Sequence, residues 1–390
     1  MTAAEELDQG GLEAVSTVDR VASLTGVRAL AALLVVATHA AYTTGKYTHG
    51  YAGLVYSRME IGVPIFFVLS GYLLFGPWVQ AAACGSAAPS VRRYAWHRVR
   101  RIMPAYVVTV LVAYLIYHFR TAGPNPGHSW YGLLRNLSLT QIYTDAYMFS
   151  HLHQGLTQMW SLAVEVAFYA ALPVLAFLLL VVLCRRRWQP RLLLAGLAVL
   201  ALISPAWMAF VHTTHGLPDG ARLWLPGYLA WFIGGMMLTV LAAMGVRCYG
   251  FIAVPLAVLC FFIAATPIAG EPTTSPAGLA QAVTKTVFFA VIATLVVAPL
   301  ALVGPGGARP GGEAGWYARV LASRPMVWLG EISYEIFLVH LILMEIAMVE
   351  ILHWRVYTGS MPALFVVTMA LSVPAAWVLH RFTRVRNFRN

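Results

Sequence analysis

Apolar runs of similar length recur along the whole chain, separated by short polar gaps. They lie at 27–42, 61–80, 102–118, 159–183, 192–211, 223–243, 249–266, 284–303, 326–352 and 361–379, each near the ~20 residues with which a helix crosses ~30 Å of hydrocarbon. The pattern predicts an all-α, polytopic integral membrane protein with about ten transmembrane helices. Composition agrees: of 390 residues 60% are hydrophobic and only 11% charged, with a mean hydropathy of +0.72, against about a quarter charged in soluble domains.

The basic residues set the orientation. Of 26 Lys and Arg, 18 fall in the gaps on one side of the spans and seven on the other, with Arg28 at a span end. The positive-inside bias therefore predicts cytoplasmic N- and C-termini. Topology and membrane-surface electrostatics account for the net charge of +11 without a nucleic-acid partner. Residues 1–24 are expected to form a disordered cytoplasmic tail, with no basic n-region of a cleaved signal peptide. Residues 25–380 form the membrane body and 381–390 a basic cytoplasmic tail; no soluble domain is expected. Cys84, Cys184 and Cys248 fall at cytoplasmic ends and Cys260 inside a span, so the four thiols form neither a disulfide framework nor a metal site.

The polar residues inside spans carry the chemistry, because burying ionisable groups in a membrane is costly. In "GVRALAALLVVATHA" Arg28 and His39 are eleven residues apart, which places them on one helix face about 16 Å apart along the axis. Arg28 then sits at the cytoplasmic boundary and His39 beyond the midplane. Snorkelling of Arg28 and a core histidine that packs helices are the structural alternatives. In "IGVPIFFVLSGYLLF" Ser70 and Gly71 are small residues that let a helix or a ligand approach closely.

"RRYAWHRVRRIMPAY" places Arg92, Arg93, Arg98, Arg100 and Arg101 at the cytoplasmic face. As a topogenic or lipid-binding cluster it needs no enzyme; alternatively Arg98 and Arg101, three apart on a helix, fork onto phosphates. "WSLAVEVAFY" brings Glu165 into the fourth span, and "ISYEIFLVH" brings Ser333, Tyr334, Glu335 and His340 into the ninth. Counted from the span ends, Ser70, His39, Glu165, Tyr334 and His340 share one central slab. His151 and His153 in "SHLHQG" lack a nearby third ligand and read as loop residues, as does "HTTHGLPDGARLWLPGY" with Asp219 and Arg222. No metal is expected.

Taken in order, the Arg28/His39 pair, "FFVLSGY", "RVRRIMP", "WSLAVEVAFY" and "ISYEIFLVH" resemble the acyltransferase family 3 of membrane O-acyltransferases over roughly residues 25–380. The resemblance implies transfer of an acyl group, often acetyl, from cytoplasmic acyl-CoA to a hydroxyl of a carbohydrate, glycolipid or macrolide-like natural product, in the bacterial cytoplasmic membrane. It also implies that Arg28, His39, Arg98 and Arg101 are essential. Some long members carry an extracytoplasmic esterase-like domain, which this sequence does not show, and the acceptor is less constrained for it.

On this reading Arg28, Arg98 and Arg101 hold the CoA phosphates and His39 is general base on the acceptor hydroxyl. Glu165 orients His39 or stabilises its imidazolium form, and Tyr334 or Ser70 donates to the oxyanion. An acyl-histidine relay is the variant mechanism. The rival class is a transporter or flippase of polar lipids or glycan precursors, which needs a polar path but no acyl-CoA.

Overall fold

A computed structural model describes residues 3–48, 50–120, 124–272, 278–303 and 315–384. Among them the chain is helical and has no β-strand. Parts of the two expected tails, residues 1–2 and 385–390, lie outside the described residues.

The α-helices are α1 (Ala3–Thr43), α2 (Gly50–Arg58), α3 (Gly62–Cys84), α4 (Val91–Phe119), α5 (Trp130–Leu137), α6 (Met159–Ala176), α7 (Pro190–Ala201) and α8 (Ile203–Thr213). They continue as α9 (Leu225–Ala243), α10 (Gly250–Ala264), α11 (Leu279–Ala301), α12 (Gly315–Leu321), α13 (Arg324–Glu331), α14 (Ser333–Ile346) and α15 (Met361–Thr383). Among the described residues eight helices are long and apolar enough to span a membrane, or nine if α13 and α14, bent by 72° at Ile332, count as one span. The remaining apolar run is α10, a shorter helix of 15 residues. Its C-terminal carbonyls have no partner within the helix. The buried Arg58 supplies one, Nε donating to the Ala264 carbonyl at 2.8 Å.

Two departures from the predicted spans move side chains. The second span is continuous over Gly50–Cys84, 35 residues, so it begins well before residue 61. The bend between α13 and α14 means that α13 adds little depth to the residues following it.

Glycines let the bundle close. At Gly71 of α3 an added Cβ would lie 2.0 Å from the Phe232 carbonyl oxygen, and at Gly235 of α9 1.8 Å from that of Val68. The α3/α9 contact is thus backbone on backbone. Beside it Phe67, Phe232 and Phe168, from α3, α9 and α6, stack at centroid spacings of 4.3 and 4.0 Å. Gly71→Ala should lower the thermal midpoint of the purified protein, at the about 1–3 kcal/mol cost of overpacking or above it. Gly76→Ala, whose Cβ would meet nothing nearer than Thr239 Cγ2 at 4.0 Å, should leave the midpoint unchanged or raise it. Equal midpoints for the two variants would contradict this account of the crossing.

The candidate active site

A cavity of about 330 Å³ opens between α1, α3, α4, α6 and α14. Arg28, Arg98 and Arg101 line it together with Ser70, Glu165, Tyr169 and Tyr334. Each is placed by a local feature. Arg28 follows Gly26, where a Cβ would lie 1.8 Å from the Leu321 carbonyl oxygen, so α12 packs directly on the α1 backbone beside Arg28. Gly330 of α13 meets the Thr25 carbonyl in the same way, at 2.0 Å. Arg98 and Arg101 lie in the first turns of α4, which Ser90 caps by accepting the Arg93 N–H at 3.4 Å. Tyr334 follows directly on the α13/α14 bend.

The hydroxyls around the cavity are engaged. Glu165 Oε1 accepts from Ser70 Oγ at 2.5 Å and from Tyr169 Oη at 2.6 Å. Tyr334 Oη donates to the Ile102 carbonyl at 3.0 Å. The cations are not engaged in the same way. Among the described residues no carboxylate lies within 4.0 Å of the guanidinium nitrogens of Arg28, Arg98 or Arg101. Arg98 Nε is buried without a hydrogen-bond partner. Three guanidiniums share the cavity with a single lining carboxylate, Glu165, and none of them is ion-paired among the described residues, an excess of positive charge that suits a polyanion.

A second polar centre lies further along α1. His39 Nδ1 is 3.0 Å from His340 Nε2, with ring centroids 5.1 Å apart. His340 is fully buried, and its Nδ1 lies 2.8 Å from the Phe337 carbonyl oxygen and 3.2 Å from that of Ile336. Phe337 also lines the cavity, and its ring centroid is 6.0 Å from that of His340. The histidine pair is therefore one side chain beyond the cavity wall.

The predicted site residues thus divide into two groups rather than one slab. Thr38 Oγ1 donates to the Tyr56 carbonyl at 2.9 Å, which sets His39 level with α2. Ser70 lies fourteen residues further along the same continuous helix, roughly 20 Å toward the arginines. Glu165, bonded to Ser70, shares the level of the arginines. The early start of the second span and the bend before Tyr334 explain why counting from span ends misplaced both residues.

Two expected roles change as a result. Glu165 does not orient His39; His340 occupies that position. Neither Ser70 nor Tyr334 holds a free hydroxyl proton for an oxyanion, because the Glu165 carboxylate and the Ile102 carbonyl take them. The partnership of His340 with His39 is what sequence reasoning missed, although the two histidines in spans one and nine were its visible signal. Of the small pair, Gly71 serves helix packing and Ser70 faces the cavity.

The loops that carry His151, His153 and Asp219 are structural. His153 is buried, with Nε2 3.3 Å from His128 Nδ1, while the His151 ring packs on Tyr131 at 5.3 Å, so the two do not converge. Burial, with the neighbouring His128 adding to it, pushes the His153 imidazole down to about 3 and keeps it neutral. Asp219 Oδ1 accepts the Tyr147 N–H at 2.7 Å and ties two loops together. Among the described residues no three His, Cys, Asp or Glu side chains converge as a metal site.

Known proteins with similar sequences bear on this arrangement. The peptidoglycan O-acetyltransferase OatA of Listeria monocytogenes is 26% identical over 348 residues, which cover 82% of this chain and 49% of that protein. The chain thus spans about half the length of that relative. Acyltransferase MdmB of Streptomyces mycarofaciens is 29% identical over 385 residues, covering 93% of this chain and 90% of that protein. No solved structure matches. The model of the acyltransferase domain of acyltransferase family 3 matches residues 21–381. The chain belongs to that family and is a multi-pass membrane acyltransferase that transfers groups other than aminoacyl groups.

Proposed function

We propose that the protein transfers a short acyl group, acetyl foremost, from acyl-CoA to a hydroxyl of a carbohydrate, glycolipid or macrolide-like natural product. It does so in the bacterial cytoplasmic membrane, with the arginine end of the bundle facing the cytoplasm. The observation that carries this reading is a cavity lined by three guanidiniums, with a histidine pair one side chain beyond its wall at Phe337.

The CoA phosphates sit on Arg28, Arg98 and Arg101, whose planar forks match phosphate oxygens. The pantetheine arm runs past Ser70, Glu165 and Tyr169, which supply hydrogen-bonding partners for its amides. Arg28 and His39 are about 16 Å apart by helix rise, comparable with the reach of that arm. We assign Ser70, Glu165 and Tyr334 to the donor's path and His39 to the chemistry.

The acceptor hydroxyl approaches His39 from the end opposite the arginines. As its oxygen bonds to the thioester carbonyl carbon, its proton passes to the His39 imidazole. Collapse of the tetrahedral intermediate breaks the C–S bond, and the CoA thiolate takes that proton from His39, which returns to its neutral form. The name of the OatA relative, an O-acetyltransferase of a glycan, supports the choice of acyl group and of acceptor class.

The test is incubation of the purified protein with acetyl-CoA and hydroxyl-bearing extracts of its own cells, read by mass spectrometry. An acetyl mass should appear on an acceptor oxygen only when acetyl-CoA is present. No acyl gain with any acyl-CoA would contradict the reading.

A further inference from the structure

We infer that His340 is a positioning residue for the acyl transfer: it fixes the tautomer and the orientation of His39, so that His39 Nε2 is the basic nitrogen. The inference rests on the reading of His39 as general base and adds the group that makes it one.

The contacts of the two rings fix where each hydrogen sits. His340 Nδ1 faces the carbonyl oxygens of Phe337 and Ile336, at 2.8 and 3.2 Å. A carbonyl cannot donate, so the nitrogen facing it carries the proton. A neutral imidazole with its hydrogen on Nδ1 has an unprotonated Nε2 that can only accept. His39 Nδ1 is 3.0 Å from that Nε2, so the hydrogen between the rings belongs to His39 Nδ1. The lone pair of His39 is thereby left on Nε2. The other neutral tautomer of His340 would set the Nδ1 lone pair against two carbonyls inside a residue with 0% exposure, a buried loss of hydrogen bonding that costs on the order of 1–3 kcal/mol.

The anchor is rigid. Ile336 and Phe337 belong to the same helix as His340, and Gln158 Nε2 donates to the neighbouring Leu338 carbonyl at 3.0 Å, which ties the start of α6 to this turn. When His39 takes the acceptor proton on Nε2, its Nδ1–H bond to His340 becomes charge-assisted and stronger. His340 therefore favours the protonated intermediate over the resting state without exchanging a proton itself. Histidines that act as ligands or bases owe their working nitrogen to the bond made by the other one.

The experiment compares His340→Leu and His340→Gln with the wild type, all purified in the same detergent. His340→Leu removes the side-chain acceptor of the His39 Nδ1 hydrogen. It should lower kcat about 10–100-fold, the range for losing a group that orients a working histidine, with KM for acyl-CoA unchanged. In His340→Gln the amide oxygen stands in for Nε2 as acceptor, and most of the lost kcat should return. A merely structural role would not make the amide rescue turnover while donor KM stays constant. Full turnover in His340→Leu, or His340→Gln no better than His340→Leu, overturns the inference.

Nitrogen-15 NMR of the histidines in the wild-type protein tests the same point without any substitution, should the variants not fold. Protonated Nδ1 and unprotonated Nε2 at His39 are expected, and the reverse would refute the assignment. If His39→Ala were inactive and His340→Leu fully active, only the His340 inference would fall. An active His39→Ala would remove the reading beneath it.

Discussion

His39→Ala is expected to abolish acyl transfer, lowering turnover by roughly 10²–10⁴-fold, the contribution of a positioned general base. Donor affinity should not change. The arginines that hold the phosphates line the cavity, about 16 Å from His39 along α1 by helix rise, so binding and chemistry are separable in this protein. The substitution also leaves His340 Nε2 without its donor in a fully buried place. A modest loss of stability is therefore expected alongside the loss of activity. Acyl-CoA binding to the variant, measured by calorimetry together with its thermal midpoint, separates a folded protein lacking its base from a damaged one. Normal turnover in the variant would refute the mechanism outright.

The double substitution Arg98→Gln/Arg101→Gln should have the opposite signature. A hydrogen bond to a charged group contributes about 1.5–3 kcal/mol, so each arginine is expected to account for roughly 10–100-fold in donor KM, a tenfold change corresponding to ~1.4 kcal/mol. These contacts are the same in ground and transition states, and kcat should therefore hold nearly constant. Arg98 carries a buried Nε without a hydrogen-bond partner, so removing it costs no existing bond at that atom. The measurement is KM for acetyl-CoA against KM for an acetyl thioester of pantetheine that lacks phosphates. Wild type should favour acetyl-CoA strongly, and the double variant, which keeps Arg28, should lose most of that preference. An unchanged preference would take the phosphates away from this cluster.

The helical membrane fold is legible in the sequence because hydrocarbon imposes both a length and a composition on every span. Arg28, Arg98 and Arg101 could be grouped from sequence because all three lie at the ends of apolar runs, which begin at 27 and 102, where counting errors are small. Ser70 and Tyr334 could not be levelled in that way. Their depths depend on where the Gly50–Cys84 helix begins and on the 72° bend at Ile332, and tertiary packing sets both. The backbone contacts at Gly71 and Gly330 decide which helices meet, and no periodicity within one helix encodes the partner. The hydrogen-bond partner of His39 was hidden for the same reason: it lies 301 residues away in the chain.

The central claim is that one donor molecule connects the two polar centres. It is tested most directly by a cryo-EM structure of the protein with a non-reactive acetyl-CoA analogue. The account predicts phosphate oxygens within hydrogen-bonding distance of Arg28, Arg98 and Arg101, the arm threading past Ser70 and Glu165, and the acyl carbonyl beside His39 Nε2. A nucleotide seated elsewhere, or an acyl group that stops at Ser70 with His39 out of reach, would contradict it.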